Sequence, residues 1–525
     1  MAGLTTTWSG ADGDVVLSYG THPMSPLSLE DVRHFTQFLF AAAEDRTLLL
    51  HWPEQDREAF LEAVGRVANP DHSIERRLAK ATRKQRAKDK RARDKAARDT
   101  TGIRDARRSP VFVAPAPLLA SGVEHPERLL ENPRHCYVCK DEYRRVHHFY
   151  DALCWDCGEF NYAKRFQQAD LSGQVVLITG ARVKIGYQAS LMLLRNGATV
   201  IATTRFPNDA TARYLREPDF LQWGQRLHVH GLDLRHSPSV ELFARHLAAT
   251  HSRLDAIINN AAQTVRRPPG WYRHLLEGEL KPSSTLPGPA QQLLQGHERV
   301  LEVVGHRAHS GLATSWKNHD PALGLHSSAA LSLVPYEQDE TQGIEQLYPA
   351  GRLDADQQQV DLRAVNSWRL TLADVATAEM LEVHLVNAVA PFILNGKLKP
   401  LMLQDRSQPG HIVNVSAMEG IFSRGTKTDK HPHTNMAKAA LNMMTLTSAP
   451  DYAKSHIYMN AVDTGWVTDE DPAHHAERKV TELDFQPPLD IVDGAARIVD
   501  PLFEARRSGH LGFGHFLKDY HPADW

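Results

Sequence analysis

The sequence predicts an α/β protein built on a doubly wound parallel sheet, preceded by a small N-terminal helical region and a four-cysteine zinc-binding module. Three observations carry this. From Gln174 onward, apolar strand-like runs alternate with Gly turns and helical patterns, as parallel strands joined by crossover helices require. All four cysteines fall between Cys136 and Cys157, in two C-x2-C pairs. Residues 28–43 and 54–67 carry apolar residues at helical spacing, and Ser28 with Asp31 resembles a capping box.

The chain has 525 residues, more than one ordinary domain holds. A net charge of −3 argues against nucleic-acid binding by the whole surface. Apolar runs such as Phe38–Ala43 and Val175–Ile178 are far shorter than the roughly 20 residues that cross a bilayer. The first residues lack a charged segment followed by an apolar one, so no secretory signal is read. The expectation is a cytoplasmic protein without membrane attachment.

Residues 1–70 form the helical module. Residues 71–134 are a basic arm and linker. Between Ser73 and Arg108 stand 15 Lys/Arg and 5 Asp/Glu, which reads as a solvated helix or arm that binds polyanions weakly. Pro110, Pro115, Pro117, Pro126 and Pro133 mark the linker. The cysteine module spans 135–165, and the α/β domain spans 170–525 with an insertion at about 268–365.

Cys136, Cys139, Cys154 and Cys157 form a C-x2-C-x14-C-x2-C array. Each pair sets two thiolates on a tight knuckle, and two knuckles complete a tetrahedral Zn2+ site. Four thiolates close the coordination shell, so the zinc is structural. His147 and His148, between the pairs, read as packing or exposed residues, with ligand replacement as the alternative.

Val175–Gly186 reads as a strand entering a Gly turn and then a helix, the arrangement that aims backbone N–H groups at a pyrophosphate. The next strand, Val200–Thr204, ends in Arg205. An acidic residue there would suit the ribose of NAD, whereas Arg suits the 2′-phosphate of NADP. Thr179, Gly180 and Gly186, then Asp233, then Asn259-Asn260-Ala261-Ala262, together resemble the short-chain dehydrogenase/reductase (SDR) family and its Rossmann-type fold. The resemblance continues with Asn387 in LEVHLVNAVAPF, His411–Ser416, Lys438 in NMAKAALNMM, and Asn460–Gly465. It covers roughly 172–267 and 366–525.

The resemblance implies an NADP(H) site formed by Thr179, Gly180, Arg182, Lys184, Ile185, Gly186, Arg205, Asp233, Asn260, Ala261 and Lys438. It implies a catalytic set of Lys438, Asn387, Thr434 and Ser416, and a homo-oligomer. Four departures stand out. Lys184 replaces the middle Gly of the turn. It either crowds the phosphates, adds a cation to them, or faces solvent. Thr434 stands where the family has Tyr, and Ala417 where its catalytic Ser often sits. A threonine is a far poorer acid than a Lys-activated phenol, a loss of about 10²–10⁴ in rate. His433, with His431, is a candidate replacement by proximity. About 100 extra residues separate Asn260 from Asn387, and they read as a lid or wall over the nicotinamide, or as a surface excursion.

The function expected is NADP-dependent oxidoreduction of an unidentified small carbonyl or alcohol with modified acid–base residues. One alternative is a catalytically weak NADP(H) sensor or scaffold. Another is a nucleic-acid-associated protein, using the basic arm, Arg144-Arg145, Lys164-Arg165 and the aromatic residues Tyr143, Phe149, Tyr150 and Trp155.

Overall fold

The computed structural model describes residues 5–8, 15–19, 22–23, 28–70, 72–114, 127–307, 320–336, 339, 343–405 and 407–525. They form two compact units, 1–89 and 90–525. Pro115, Pro117 and Pro126 of the expected linker lie outside the described residues.

The first unit opens with three short antiparallel strands that the sequence reading did not anticipate: β1 (Thr5–Trp8), β2 (Val15–Tyr19) and β3 (His22–Pro23). The two expected helices follow, Leu29–Glu44 and Glu54–Ala68. Ser28 Oγ accepts the Asp31 N–H at 3.1 Å and the Asp31 carboxylate accepts the Ser28 N–H at 2.9 Å, so the capping box is present. Between the helices Phe38 stacks on Trp52 with centroids 5.4 Å apart, and Phe60 meets Trp52 edge-on at 5.1 Å.

A single basic helix, His72–Asp99, crosses from the first unit into the second, and Gly102–Arg108 follows it. The described residues up to Arg93 are mostly exposed, with Lys90 and Arg93 paired to Glu131; beyond Arg93 the reading of a solvated arm fails at Asp94, Arg98 and Arg104, which are buried. Asp94 accepts the Glu131 N–H at 2.6 Å, and the buried Arg98 and Arg104 reach Asp484 at 2.5 and 2.7 Å. These cations already have carboxylate partners, which a charge count along the chain does not reveal.

In the second unit, β4 (Leu129–His135) and β5 (Glu142–Arg145) pair antiparallel, and the helix Trp155–Arg165 closes the cysteine module. The main sheet has eight strands. They are β6 (Val175–Thr179), β7 (Thr199–Thr204), β8 (Leu227–Gly231), β9 (Ala256–Asn259), β10 (Gly410–Ser416), β11 (Ile457–Asp463), β12 (Phe516–Lys518) and β13 (His521–Ala523). Their order is β13-β12-β11-β10-β9-β6-β7-β8, with all pairs parallel except β12 with β13. β6 to β10 are buried along nearly their whole length, so both faces need cover. The helices Lys184–Arg195 and Ile491–Ser508 cover one face; Ser237–Thr250, Ala390–Met402 and Pro432–Ala453 cover the other. The strand order reverses direction between β6 and β9, and the ends of these two strands form the crevice where ligands bind in such sheets.

The described part of the insertion packs in two places: at the β8 edge of the sheet, and, through Gln358 on Arg182 at 2.5 Å and Asp339 on Arg266 at 2.8 Å, beside the β6 turn and the segment after β9. Helix Gly288–Arg307 buries Leu293, Leu294 and Val300 against the layers beside the edge strand β8, and Trp271, Tyr272 and Leu275 cluster with Phe206. An otherwise open sheet edge is thereby covered.

The segment Thr377–Met402 is long and apolar enough to cross a membrane by composition, a property shared with core helices. Val383, Leu394, Leu398 and Leu401 of this segment are buried in the protein.

The cysteine module is fixed to the α/β domain by buried charge. Arg165 grips Asp490 with two bonds at 2.7 and 2.9 Å and reaches Asp493 at 2.8 Å; Tyr150 Oη donates to Asp493 at 2.5 Å. Deleting one partner leaves two carboxylates buried without their cation. Arg165→Ala is expected to lower unfolding stability by about 3–5 kcal/mol in a urea titration. An unchanged midpoint would show that these charges are not what joins the module to the domain.

Candidate active site and metal centre

The four Sγ atoms of Cys136, Cys139, Cys154 and Cys157 lie within 4.8 Å of one another, and Cys139 Sγ is 3.8 Å from Cys154 Sγ. A tetrahedron with Zn–S bonds of about 2.3 Å has edges of about 3.8 Å, so the donor set fits zinc. His147, His148 and Glu159 converge nearby, with His147 Nε2 at 3.0 Å from Glu159 Oε1. His147 Nδ1 accepts the N–H groups of Phe149 and Tyr150 at 3.0 and 3.2 Å. A neutral ring that accepts at Nδ1 carries its proton on Nε2, which then donates to Glu159 and is not a free metal donor. These histidines pack the module, as the first of the two sequence readings had it.

At the switch point the turn is as tight as backbone packing permits. Gly180 has φ +68°, and a Cβ on it would lie 2.9 Å from Ala261 Cα. A Cβ on Gly186 would fall 2.3 Å from the Gly180 carbonyl and 2.4 Å from Asn260 Nδ2. Asn260 Nδ2 donates to the Thr179 and Gly180 carbonyls at 3.0 and 3.2 Å, and the Ala261 N–H donates to Thr179 Oγ1 at 3.0 Å. Thr179, Gly180, Gly186, Asn260 and Ala261 are thus brought together. The first turn of Lys184–Arg195 opens beside them with its N–H groups unpaired within the helix. This is a cradle that an anion or a dinucleotide pyrophosphate fits.

The remaining expected cofactor residues are placed differently. Lys184 occupies the left-handed region at φ +55°, the conformation a Gly would take without strain. Burial pulls its ammonium down, but Glu470, Asp356 and Asp354 outweigh this and hold it above the usual range. Ile185 packs against Gly494 and the core of the cysteine module. Arg182 is buried, bonded to Asp209 at 2.7 Å and to Gln358 of the insertion at 2.5 Å. Arg205 is half-buried and donates to Tyr272 Oη at 2.8 Å and Ser332 Oγ at 3.1 Å. It makes no ion pair among the described residues. Two of its five donors are used by neutral hydroxyls, leaving three. Asp233 is fully buried, paired with Arg235 at 2.6 Å.

A chain of bonds runs from Asp233 to Asn387. Arg235 also reaches Glu382 at 2.7 Å; Gln263 Nε2 donates to Glu382 at 3.0 Å; the Gln263 N–H donates to Asn387 Oδ1 at 2.8 Å, and Asn387 Nδ2 returns a bond to the Gln263 carbonyl at 3.0 Å. Asn387 lies in a π-helical turn, Leu385–Val389.

Lys438 Nζ donates to the Val415 carbonyl at 2.8 Å and is buried. Burial pulls its ammonium down to about 8, against the opposing pull of Glu419 and Asp463. Ser416 Oγ donates to Asn442 Oδ1 at 2.5 Å. Thr434 is buried, and its Oγ1 has no hydrogen-bond partner among the described residues. The same holds for both ring nitrogens of His433. Burial pushes His433 down to about 4, so its ring is neutral at pH 7. Its Nε2 stands 3.8 Å from Glu379 Oε1, whose carboxyl burial pushes above the usual range. His431, with φ +42°, stacks on Trp368 at 3.8 Å.

Sequence reasoning missed Glu379, Gln263, Tyr272, Ser332 and Asp463. Asp463 is buried, opposite Ser416 in register, and burial raises its carboxyl to about 6. It falls at a variable position of the Asn460–Gly465 segment, so no motif marks it. The aromatic surface invoked for nucleic acid is also corrected. Tyr143, Phe149 and Tyr150 are buried in the module's core, Trp155 lies under Arg145 at 3.6 Å, and Lys164 and Arg165 are buried in ion pairs. A domain this small needs those rings for its own core.

Fold and cradle together define a Rossmann-type α/β protein with a crevice that fits a dinucleotide. Residues 174–271 match the family described as short chain dehydrogenase, and residues 363–484 match Enoyl-(Acyl carrier protein) reductase. The chain belongs to the short-chain dehydrogenase/reductase family, and the two matches flank the insertion. An uncharacterized protein of Acanthamoeba polyphaga mimivirus is 28% identical over 400 residues, covering 74% of this chain and 75% of that one. Retinol dehydrogenase 13 of Mus musculus is 33% identical over 106 residues, which span 20% of this chain and 30% of that enzyme. Among solved structures, the Pseudomonas aeruginosa RhlG/NADP active-site complex is similar at 16% identity and a TM-score of 0.39, covering 66% of this chain and 94% of that one. Carbonyl reductase Sniffer of D. melanogaster has the same identity and score, covering 67% and 99%.

One zinc per chain is expected by elemental analysis of reduced protein. Cys139→Ser should release it and destabilise residues 129–165. Freshly purified protein without metal would contradict the assignment.

Proposed function

We propose that this protein is an NADP(H)-dependent oxidoreductase acting on a small carbonyl or alcohol, with altered proton delivery. The observation that supports it most is Arg205, a half-buried guanidinium just after β7 whose side-chain hydrogen bonds among the described residues go to two hydroxyls, with donors to spare. A dianionic 2′-phosphate matches such a group. When bound, the dinucleotide supplies the hydride.

The chain's own residues then divide the work. Thr179, Gly180, Gly186, Asn260 and Ala261 cradle the phosphates. Lys438 binds the ribose beside the nicotinamide, and Asn387 steadies the relay. Thr434 can hydrogen-bond a substrate oxygen but is a poor acid. Glu379 and His433, with Oε1 and Nε2 3.8 Å apart and His433 next to Thr434 in the chain, are the groups proposed to supply the proton instead. A weak catalyst that senses NADP(H) is the second reading, favoured by the unpartnered Thr434 hydroxyl in place of a phenol.

A homo-oligomer accompanies this reading. Leu381, Val389 and Phe392 of one helical segment, and Met436, Met443 and Leu446 of the catalytic helix, are exposed apolar residues. Sedimentation of Phe392→Glu should show dissociation relative to the unmodified protein.

Calorimetry should find NADPH bound more tightly than NADH, and Arg205→Asp should weaken NADPH by about 10–100-fold. Equal wild-type affinities would remove the role given to Arg205. In stopped-flow NADPH oxidation with simple ketones, Thr434→Tyr should raise the rate by up to about 10². Rapid turnover that ignores substitution at Thr434, His433 and Glu379 would place the proton donor elsewhere.

A further inference from the structure

The cysteine module has a place in the reading above that its own stability does not explain. Its first knuckle carries Tyr137 between Cys136 and Cys139, and Tyr137 Oη accepts the backbone N–H of Trp466 at 2.9 Å. Trp466 directly follows Gly465, which turns the chain at φ +75° just after the C-terminal end of β11. A Cβ on Gly465 would lie 3.5 Å from the same Tyr137 oxygen. The end of β11 is in register with the end of β10, Ser416 with Asp463, and Lys438 is bonded to Val415 one residue earlier.

The segment that leaves this turn is held again further on. Its helix, Ala473–Leu483, ends at Asp484, which Arg98 and Arg104 grip at 2.5 and 2.7 Å. Arg107 donates to Gln486 Oε1 at 3.3 Å and to the Leu489 carbonyl at 2.9 Å. The Leu489 N–H closes the loop on the Trp466 carbonyl at 3.3 Å. Val467, Leu489 and Ile491 are buried in one cluster with Ile103, Tyr143 and Leu153. Both ends of 466–490 therefore rest on the metal module and on the basic helices that precede it. The adenosine half, by contrast, is held by the insertion through Tyr272, Ser332 and Gly324.

We propose that Tyr137 is a positioning residue for the nicotinamide side of the crevice, and that the four-cysteine module is the fixed point from which the 464–490 segment is set. The inference rests on the NADP(H) reading. Ligands of a doubly wound sheet contact the loops at the strands' carboxyl ends, and the loop after β11 is one of these. A loop of 25 residues without such anchors would sample many conformations, and each binding event would have to select one. Zinc thus acts through geometry at a distance from the reacting atoms, because Cys136 and Cys139 fix the knuckle that presents the Tyr137 oxygen.

The test separates the two halves of the cofactor in the full-length, zinc-loaded protein. NADPH and adenosine 2′,5′-bisphosphate, which lacks the nicotinamide, are titrated by calorimetry into wild type, Tyr137→Phe and Arg107→Gln. Zinc content is measured on each, and hydrogen exchange is followed at the Trp466 amide. The expected result is unchanged zinc, faster exchange at Trp466 in Tyr137→Phe, NADPH binding weakened about tenfold in both variants, and adenosine 2′,5′-bisphosphate binding unchanged. Arg107→Gln carries the test if Tyr137→Phe does not fold. Equal weakening of both ligands, or of neither, overturns the inference while leaving the cofactor reading in place. Wild-type protein that binds neither ligand overturns both.

Discussion

The contact between the β6 turn and the end of β9 is the constraint on which the rest of the protein depends. Asn260 ties the carbonyls of Thr179 and Gly180, and Gly186 passes beneath them with no space for a methyl group. Two strand ends and one helix N-terminus are thereby locked at the point where the sheet reverses its winding. The unpaired N–H groups of that helix, and the crevice itself, follow from this packing. Any side chain at Gly186 would push the helix away and lose the cradle.

Two additions flank that point, the insertion on one side and the cysteine module on the other. The insertion buries its apolar stripe beside β8, covers the edge of the sheet, and turns two hydroxyls toward Arg205. The cysteine module, too small for a large core, borrows the long helix Ile491–Ser508 and fastens to it with buried ion pairs. Such pairs contribute less net stability than their geometry suggests, because each ion must first lose water. Their effect is to permit one docking and to penalise others.

The fold was legible where its signals are local. A C-x2-C knuckle, a Gly turn after an apolar strand and a capping box each act within a few residues, and each stands where it was read. Lys184 shows the limit: its identity marked a departure, but only the backbone shows that it takes the left-handed conformation and faces carboxylates from 170 and more residues away. Arg98 and Arg104 read as solvated charges because their partner, Asp484, is some 380 residues on. The insertion's position in the sequence fixes where it starts, while its apolar residues and its bonds to Arg182 and Arg266 fix where it packs. Asp463 and Glu379 lie in no motif. Burial makes them chemically notable, and burial is a property of the folded chain.

Lys438 and Asn387 match the family's Lys and Asn while Thr434 stands in place of its Tyr, so the proposed function separates cofactor binding from proton transfer. The most direct test of the account is native mass spectrometry of the full-length protein with equal amounts of NADPH and NADH. The account predicts that each chain carries one zinc and one dinucleotide, and that the dinucleotide is NADPH. Zinc-loaded chains that carry no dinucleotide, or that take NADH as readily, would contradict it.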